Sequence, residues 1–248
     1  MTPISYEETG AGRHTFDRLI AFDRKSRKFP VRKAARPVEL KSVLWDCNVW
    51  LDQGREGACV GYSISHALAC MPPPVRPMST LDARSIYHAS QRIDEFPGGS
   101  YAGATPFMEG TSVLAGMKVA RMKGLVESYR WAFSVEELIA GLSTGPAVLG
   151  IPWYSGMSTP DKEGIARIGG KTVGGHAICC RGVDLAREYF IFRQSWGRKF
   201  GHNGDCYITF KDTEQLLSMS GESCFPVKRE PEPGFLNKLA MALGLRHR

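Results

Sequence analysis

After Cys59 the apolar positions Val60, Ile64, Ala67 and Leu68 recur at the spacing of one helix face until Pro72 stops the pattern. A helix is therefore predicted to begin at or beside Cys59. Ser79-Thr80-Leu81-Asp82 and Ser134-Val135-Glu136-Glu137 each have the form of a capping box, and Gly124 and Gly145 stand where helices end. These signals predict helices near 80–92, 111–123 and 135–143. In the second half the period changes. Positions 147–151, 176–183, 189–195 and 206–210 are short apolar or alternating runs separated by glycine-containing turns, the pattern of strands. Helices followed by strands, rather than alternating with them, predict an α+β fold in which a helical lobe packs on an antiparallel lobe.

The 248 residues allow one large domain or two tightly joined lobes, and no internal repeat divides them. Composition breaks at a basic start, at a proline-rich loop over 72–77, at a glycine-rich stretch over 97–103 and at a tail from Pro226. The expected organisation is a basic arm (1–37), a folded domain (38–225) and a C-terminal tail (226–248). Within the tail, Phe235, Leu236, Leu239, Met241, Leu243 and Leu245 form a short, basic, amphipathic helical pattern suited to docking on the domain, on a partner or on a membrane surface. At 43% hydrophobic and 23% charged the chain falls outside the disordered, collagenous and disulfide-stapled classes. No apolar run approaches the roughly 20 residues of a bilayer span, and the first residues lack a basic start followed by an apolar stretch. Neither a membrane span nor a secretory leader is expected, which points to a cytoplasmic location.

The net charge of +7 is concentrated at the start, where Arg13, Arg18, Arg24, Lys25, Arg27, Lys28, Arg32, Lys33 and Arg36 fall. Such a segment is either a solvated terminus or a polyanion-binding arm. No zinc-finger spacing or aromatic RNA-binding motif accompanies the charge, which favours the solvated terminus. Seven cysteines cannot all pair within one chain, so free thiols and a reducing compartment are expected.

Chemistry concentrates in Asp52-Gln53-Gly54-Arg55-Glu56-Gly57-Ala58-Cys59-Val60-Gly61. A thiol at a helix start meets unpaired backbone N–H groups and the positive end of the helix dipole, both of which favour a thiolate. Gln53 lies six residues earlier in a glycine-rich turn, from which its amide and the Cys59 N–H could form an oxyanion hole. A thiolate needs a base, and of the six histidines only His176 opens a strand pattern, behind Gly174 and Gly175, which leave room for a substrate backbone. At the end of the next strand pattern, Gln194 could orient the imidazole through its second nitrogen, with Trp196 shielding that hydrogen bond from water.

Together these residues resemble the papain-like cysteine peptidases. The resemblance runs from Asp52-Gln53-Gly54 through Cys59, then Thr144-Gly145-Pro146-Ala147-Val148, Gly175-His176-Ala177, Gln194-Ser195-Trp196-Gly197 and Gly201-His202-Asn203-Gly204, over about residues 38–217. Ala58-Cys59-Val60-Gly61 is most similar to the bacterial and phage-type branch, a setting that adds virion association to the candidate locations. The resemblance implies a helical lobe and a β-barrel-like lobe flanking a cleft, and an endopeptidase that acts on peptides or proteins. In it Cys59 would be the nucleophile, His176 the general base and then acid, Gln194 the third member, and Gln53 with the Cys59 N–H the oxyanion hole. Trp196 would support His176, and Gly174, Gly175 and Met157 would line the substrate cleft. No metal or organic cofactor is implied.

The match departs from the family at four places. Gln194 stands where Asn is usual, Glu56 where secreted relatives carry a disulfide cysteine, and Val60 where an aromatic follows the nucleophile. The 117-residue interval from Cys59 to His176 is also shorter than the ~130–150 of papain-type enzymes. The sequence before the domain is too short for a long inhibitory propeptide, although a short arm over the cleft fits. Two further readings stand beside the peptidase: a papain-fold protein that binds a peptide or partner without turnover, and a thiol-dependent acyltransferase or amidase.

Overall fold

In the computed structural model, which describes residues 16–23, 25, 28, 30–31, 40–71, 74 and 76–228, helix α1 (Cys59–Cys70) is buried along its whole length. A helix apolar on all sides belongs at the centre of a fold. Its neighbours approach closely because glycine stands at the contacts. A Cβ at Gly61 would fall 2.9 Å from Tyr87 Cβ on helix α2 (Thr80–Gln91), and one at Gly116 on helix α3 (Val113–Met122) would fall 2.8 Å from Val60 Cγ1. Helix α2 opens on the predicted capping box, with Ser79 accepting from the Asp82 N–H and Asp82 accepting from the Ser79 N–H. Helix α4 (Val135–Leu142) is capped by Ser134, but Glu137 accepts from Phe133 N–H instead.

Strands β1 (Arg18–Leu19) and β3 (Thr111–Ser112) pair in parallel as a two-stranded ribbon. The larger sheet has seven strands among the described residues. Strands β4 (Ser128–Ala132), β9 (Glu222–Val227), β5 (Ala147–Tyr154), β6 (Thr172–Asp184), β7 (Tyr189–Arg193) and β8 (Asp205–Thr209) lie side by side in that order, and β2 (Val43–Leu44) pairs with β6. All of these pairs are antiparallel. Helix α5 (Phe210–Ser218) connects β8 to β9.

Two large apolar clusters follow from this layering. One joins α1 and α3 to the helix-facing side of the sheet through Val148, Ala177 and Cys179. The other fills the opposite face with Leu149, Ile151, Trp153, Ile178, Phe190 and Phe192. Adjacent strand residues thus enter different clusters, because side chains alternate across a sheet. Fully burying each such side chain contributes roughly 1.5–3 kcal/mol.

The predicted α+β segregation and helix positions agree with this fold, whereas β4, α5 and β9 were not anticipated. Two elements run across or beyond the limits of the expected domain. Pro226 lies inside β9, so the folded region continues past 225. At the other end, 16–19 is no solvated terminus: Arg18 is buried, because its strand is inserted beside β3 and against Gly175. The amphipathic pattern at 235–245 lies outside the described residues. Of the seven cysteines, Cys47 and Cys70 form a disulfide, while Cys59, Cys179, Cys180, Cys206 and Cys224 are free and buried. Among the described residues no helix is long and apolar enough to cross a membrane.

Candidate active site

Cys59 is the first residue of α1, and the N-cap residue Ala58 has no side chain that could accept from the helix's first N–H groups. Cys59 is fully buried and packs with Ala177 in the cluster that joins α1 to the sheet. Through Ala177, α1 meets β6 at the residue after His176, and Ser63 Oγ donates to the Ala177 carbonyl at 2.7 Å one helical turn further on. This helix–strand contact sets the start of α1 against the stretch of β6 that carries His176, 117 positions further along the sequence.

The imidazole is held from several sides. His176 Nε2 and Gln194 Oε1 are 2.9 Å apart and buried. With the amide oxygen able only to accept, Nε2 carries the proton and Nδ1 is the basic nitrogen. Trp196 stacks on the ring at 4.9 Å with an interplanar angle of 19°, and Trp153 meets it edge-on at 5.0 Å. Gln194 itself is fixed by its own N–H donating to Gly204 O and by its amide nitrogen contacting Cys206 Sγ at 3.7 Å. The extra methylene relative to Asn is therefore accommodated within a buried, hydrogen-bonded setting.

The Gln53 turn is anchored to the same strand end. Gln53 N–H donates to Ser195 O, Ser195 Oγ donates to Gln53 Oε1, and Gln53 Nε2 donates to Glu56 O at 2.9 Å. Asp52 forms an isolated bridge with Trp196. Glu56 bonds Arg84 at 2.9 Å and lies 3.3 Å from His88, so ionic contacts to α2 hold the loop where a disulfide was noted as missing.

Residues Phe16, Asp17 and Arg18 occupy the cleft. Asp17 bridges Gly175, and β1 continues alongside β3. The walls are glycine: a Cβ at Gly174 would collide with Phe16 O, at Gly175 with Arg18 O, and at Gly110 with Asp17 O. At Gly57 it would lie 2.6 Å from Asp17 Oδ2. Phe16 packs edge-on against His176 and Trp196 at 5.6 and 5.8 Å. The space expected beside Gly174 and Gly175 for a substrate backbone thus holds the chain's own arm.

Electrostatics follow from that cover. Burial pushes the Cys59 thiol up to about 12, the nearby Asp17 carboxylate adds to the rise, and main-chain hydrogen bonds from Ala177, Asp17 and Val60 oppose it. The depressed thiol expected at a helix start is therefore reversed with the arm in place. Asp17 is itself raised to about 6, first by burial and then by the charge of Glu109, whose carboxylate accepts from Gly57 N–H.

Met157 is fully buried, in the apolar cluster that also contains Trp153 and Trp196. Sequence reasoning missed Phe16, Asp17, Arg18, Trp153 and Glu222. The signal for the first three was the apolar set Phe16, Leu19, Ile20 and Phe22 inside a basic segment, which a solvated terminus does not require. Among the described residues no group of three His, Cys, Asp or Glu could hold a metal.

No protein-family model matches the sequence. The chain is 22% identical to an uncharacterized peptidase C1-like protein of Acanthamoeba polyphaga mimivirus, over 79% of this chain and 78% of the relative. Its structure is similar to that of xylellain, a cysteine protease from Xylella fastidiosa, with a TM-score of 0.67 at 16% identity, covering 93% of this chain and all of the other. It is also similar to digestive procathepsin L 3 of the Tenebrio molitor larval midgut, with a TM-score of 0.59 at 15% identity over 82% of this chain and 74% of the other. The fold is that of the papain-like cysteine proteases.

Proposed function

We propose that this chain is a papain-like cysteine endopeptidase, of the bacterial and phage-type branch, whose cleft is closed by its own N-terminal arm in the form described here. The observation that carries the reading is that the α1 start bearing Cys59 packs against Ala177, the neighbour of a His176 whose Nε2 is committed to Gln194 beneath Trp196. That tautomer leaves Nδ1 to take the thiol proton. The likeness to xylellain and to the viral peptidase C1-like protein supports the activity.

Once the arm leaves, the thiol loses both the burial and the adjacent Asp17 charge that hold it protonated. Proton transfer from Cys59 to His176 then gives a thiolate–imidazolium pair, and the thiolate adds to the amide carbonyl of a peptide. The oxyanion is stabilised by the Cys59 N–H and the Gln53 amide after its bond to Glu56 O is exchanged. His176 donates its proton to the leaving nitrogen, and water, deprotonated by the same imidazole, hydrolyses the thioester and regenerates the thiol. Gln194 keeps the imidazole in one tautomer throughout, as a positioning residue.

The test is labelling of the intact chain with an epoxide-type thiol inhibitor, followed by peptide mapping, with Cys59→Ser as control and hydrolysis of a generic peptide amide in parallel. Selective labelling at Cys59 together with hydrolysis that is lost in Cys59→Ser is expected. Labelling no faster at Cys59 than at Cys224, without hydrolysis, would instead favour the scaffold reading.

A further inference from the structure

We infer that Arg193 is a positioning residue for the oxyanion hole, holding with Arg181 and His66 the backbone that leads into Gln53; this rests on the peptidase reading above. The observation is a tether at every second residue from Trp45 to Gln53. Trp45 N–H donates to Arg181 O at 2.8 Å, and Trp45 O accepts from Arg181 Nη1 at 2.7 Å. The Cys47 and Val49 carbonyls both accept from Arg193 Nη1, at 3.1 and 2.6 Å. Leu51 N–H donates to His66 Nε2 at 3.1 Å, and Gln53 N–H donates to Ser195 O at 2.9 Å.

Residues 45–51 belong to no strand, yet this stretch alternates as a strand does: Cys47, Leu51 and Gln53 are buried, while Asp46, Asn48 and Asp52 are exposed. Its backbone turns to side chains for partners, because a buried carbonyl left unpaired is costly. A guanidinium suits the task, since its donors form a fixed fork. Arg193 Nε donates to Asp205 Oδ1 at 2.6 Å while Nη1 spans the two carbonyls. Asp205 also accepts from Arg181 Nη2 at 2.6 Å, so one carboxylate faces two cations. The Arg193 and Asp205 side chains are 2% and 8% exposed. Stability alone does not call for such a cluster, because buried ion pairs exchanged for apolar side chains often leave a fold as stable or more so. The second positive charge is instead directed at the carbonyls of Trp45, Cys47 and Val49.

Arg193, Gln194 and Ser195 are consecutive, and each fixes one part of the site. Arg193 and Ser195 bond the 45–53 stretch, while Gln194 between them bonds His176. The Gln53 amide and the imidazole are thereby referred to one strand end. The tether at Leu51 refers the same stretch to the helix of the nucleophile, since His66 lies seven positions, about two turns, beyond Cys59 on α1. Burial, and then the charge of Arg193, push His66 down to about 3, which keeps Nε2 unprotonated and able to accept. The two donors of the proposed oxyanion hole, the Cys59 N–H and the Gln53 amide, are thus registered to each other through His66 and Arg193. Misplacement of such a group by ~1 Å costs on the order of 10²-fold in rate.

The experiment compares the full chain, Arg193→Lys, Gln53→Ala and the two substitutions combined. It reads kcat and KM on one peptide amide and, beside them, the rate of Cys59 alkylation by iodoacetamide. Alkylation is a displacement at a saturated carbon in which no oxyanion forms, so it reports the Cys59–His176 pair and the arm but not the Gln53 amide. Lysine keeps a positive charge beside Asp205 and loses the fork. In Arg193→Lys, kcat should fall by about tenfold or more, with KM and alkylation within about twofold of the parent. Added to Gln53→Ala, the same substitution should cost nothing further, because the amide it positions is gone. An unchanged kcat, a parallel fall in alkylation, or losses that multiply in the double variant would overturn the assignment and leave the peptidase standing. Absence of cleavage by the parent would overturn the peptidase and the inference with it. Should Arg193→Lys fail to fold, the tether at Leu51 decides. His66→Leu removes the acceptor and should show the same loss confined to kcat, and His66→Gln, whose amide reaches about as far as Nε2, should recover most of it. Equal kcat in the two His66 variants would overturn the assignment.

Discussion

The imidazole of His176 and the indole of Trp196 lie nearly parallel, 4.9 Å apart at 19°, over the hydrogen bond from His176 to Gln194. Stacking there restricts water around a single buried hydrogen bond, and a hydrogen bond in low dielectric is stronger than one in water. Position 194 is built around the longer amide, and shortening it does not restore a tighter site. Gln194→Asn withdraws the amide by roughly one carbon–carbon bond, ~1.5 Å. Misplacement on that scale costs on the order of 10²-fold. The variant should therefore have a lower kcat/KM than the parent by about that factor, at nearly unchanged KM, measured on any cleaved peptide.

The arm should be released as pH rises. Asp17 has its carboxyl raised from 3.8 to about 6 in the docked state, so docking binds a proton. The docked arm is fully favoured below about 3.8 and is progressively weakened as pH climbs through about 6, by up to about 10²-fold in its docking equilibrium. Glu109, which faces Asp17 across Gly57, opposes the charged form. Asp17→Asn mimics the protonated state. Its rate of Cys59 modification should stay below that of the parent at pH 7.5 and approach it at pH 4.5, so that the ratio of the two rates removes the intrinsic thiol ionisation.

Gly175→Ala tests the narrow wall of the cleft. The added Cβ would strike the Arg18 carbonyl, the place where a substrate main chain would also pass. The variant should raise KM for peptides at least tenfold while modification of Cys59 by a small reagent such as iodoacetamide becomes faster, because the arm is displaced as well. Rates that leave both quantities unchanged would place the substrate elsewhere.

The Cys47–Cys70 bridge closes a loop that contains the whole Gln53 turn and α1, with a sequence separation of 23. A loop of that size restrains the unfolded chain by about 3 kcal/mol. Unfolding in urea with and without reductant should show a loss near that value. The change should leave α1 in place, since its buried face rather than the bridge holds it against β6.

Much of the scaffold was legible locally. The spacing after Cys59, the box at Ser79 and the short apolar runs at 147–151 and 176–183 mark helix starts and buried strands, and the elements observed there agree. The strands β4 and β9 were not legible. Ser128-Tyr129-Arg130-Trp131-Ala132 has no clean alternation, and it becomes a strand through the pairing that β9 offers it. His176 and Gln194 could be named from the apolar runs beside them, but Met157 could not be placed, because its location depends on how the chain folds back after β5.

By itself the sequence determined the α+β order, the helix starts and the candidate pairing of a thiol with an imidazole, since each is written in neighbouring residues and a fixed period. Tertiary structure alone decided the state of that pair. Whether Cys59 is a thiolate depends on what covers it, and the cover is an arm about 40 residues away. That arm is anchored by Arg18 to Glu222 across 204 positions. Desolvation and a buried ion pair are set by three-dimensional neighbours, so no local pattern carries them.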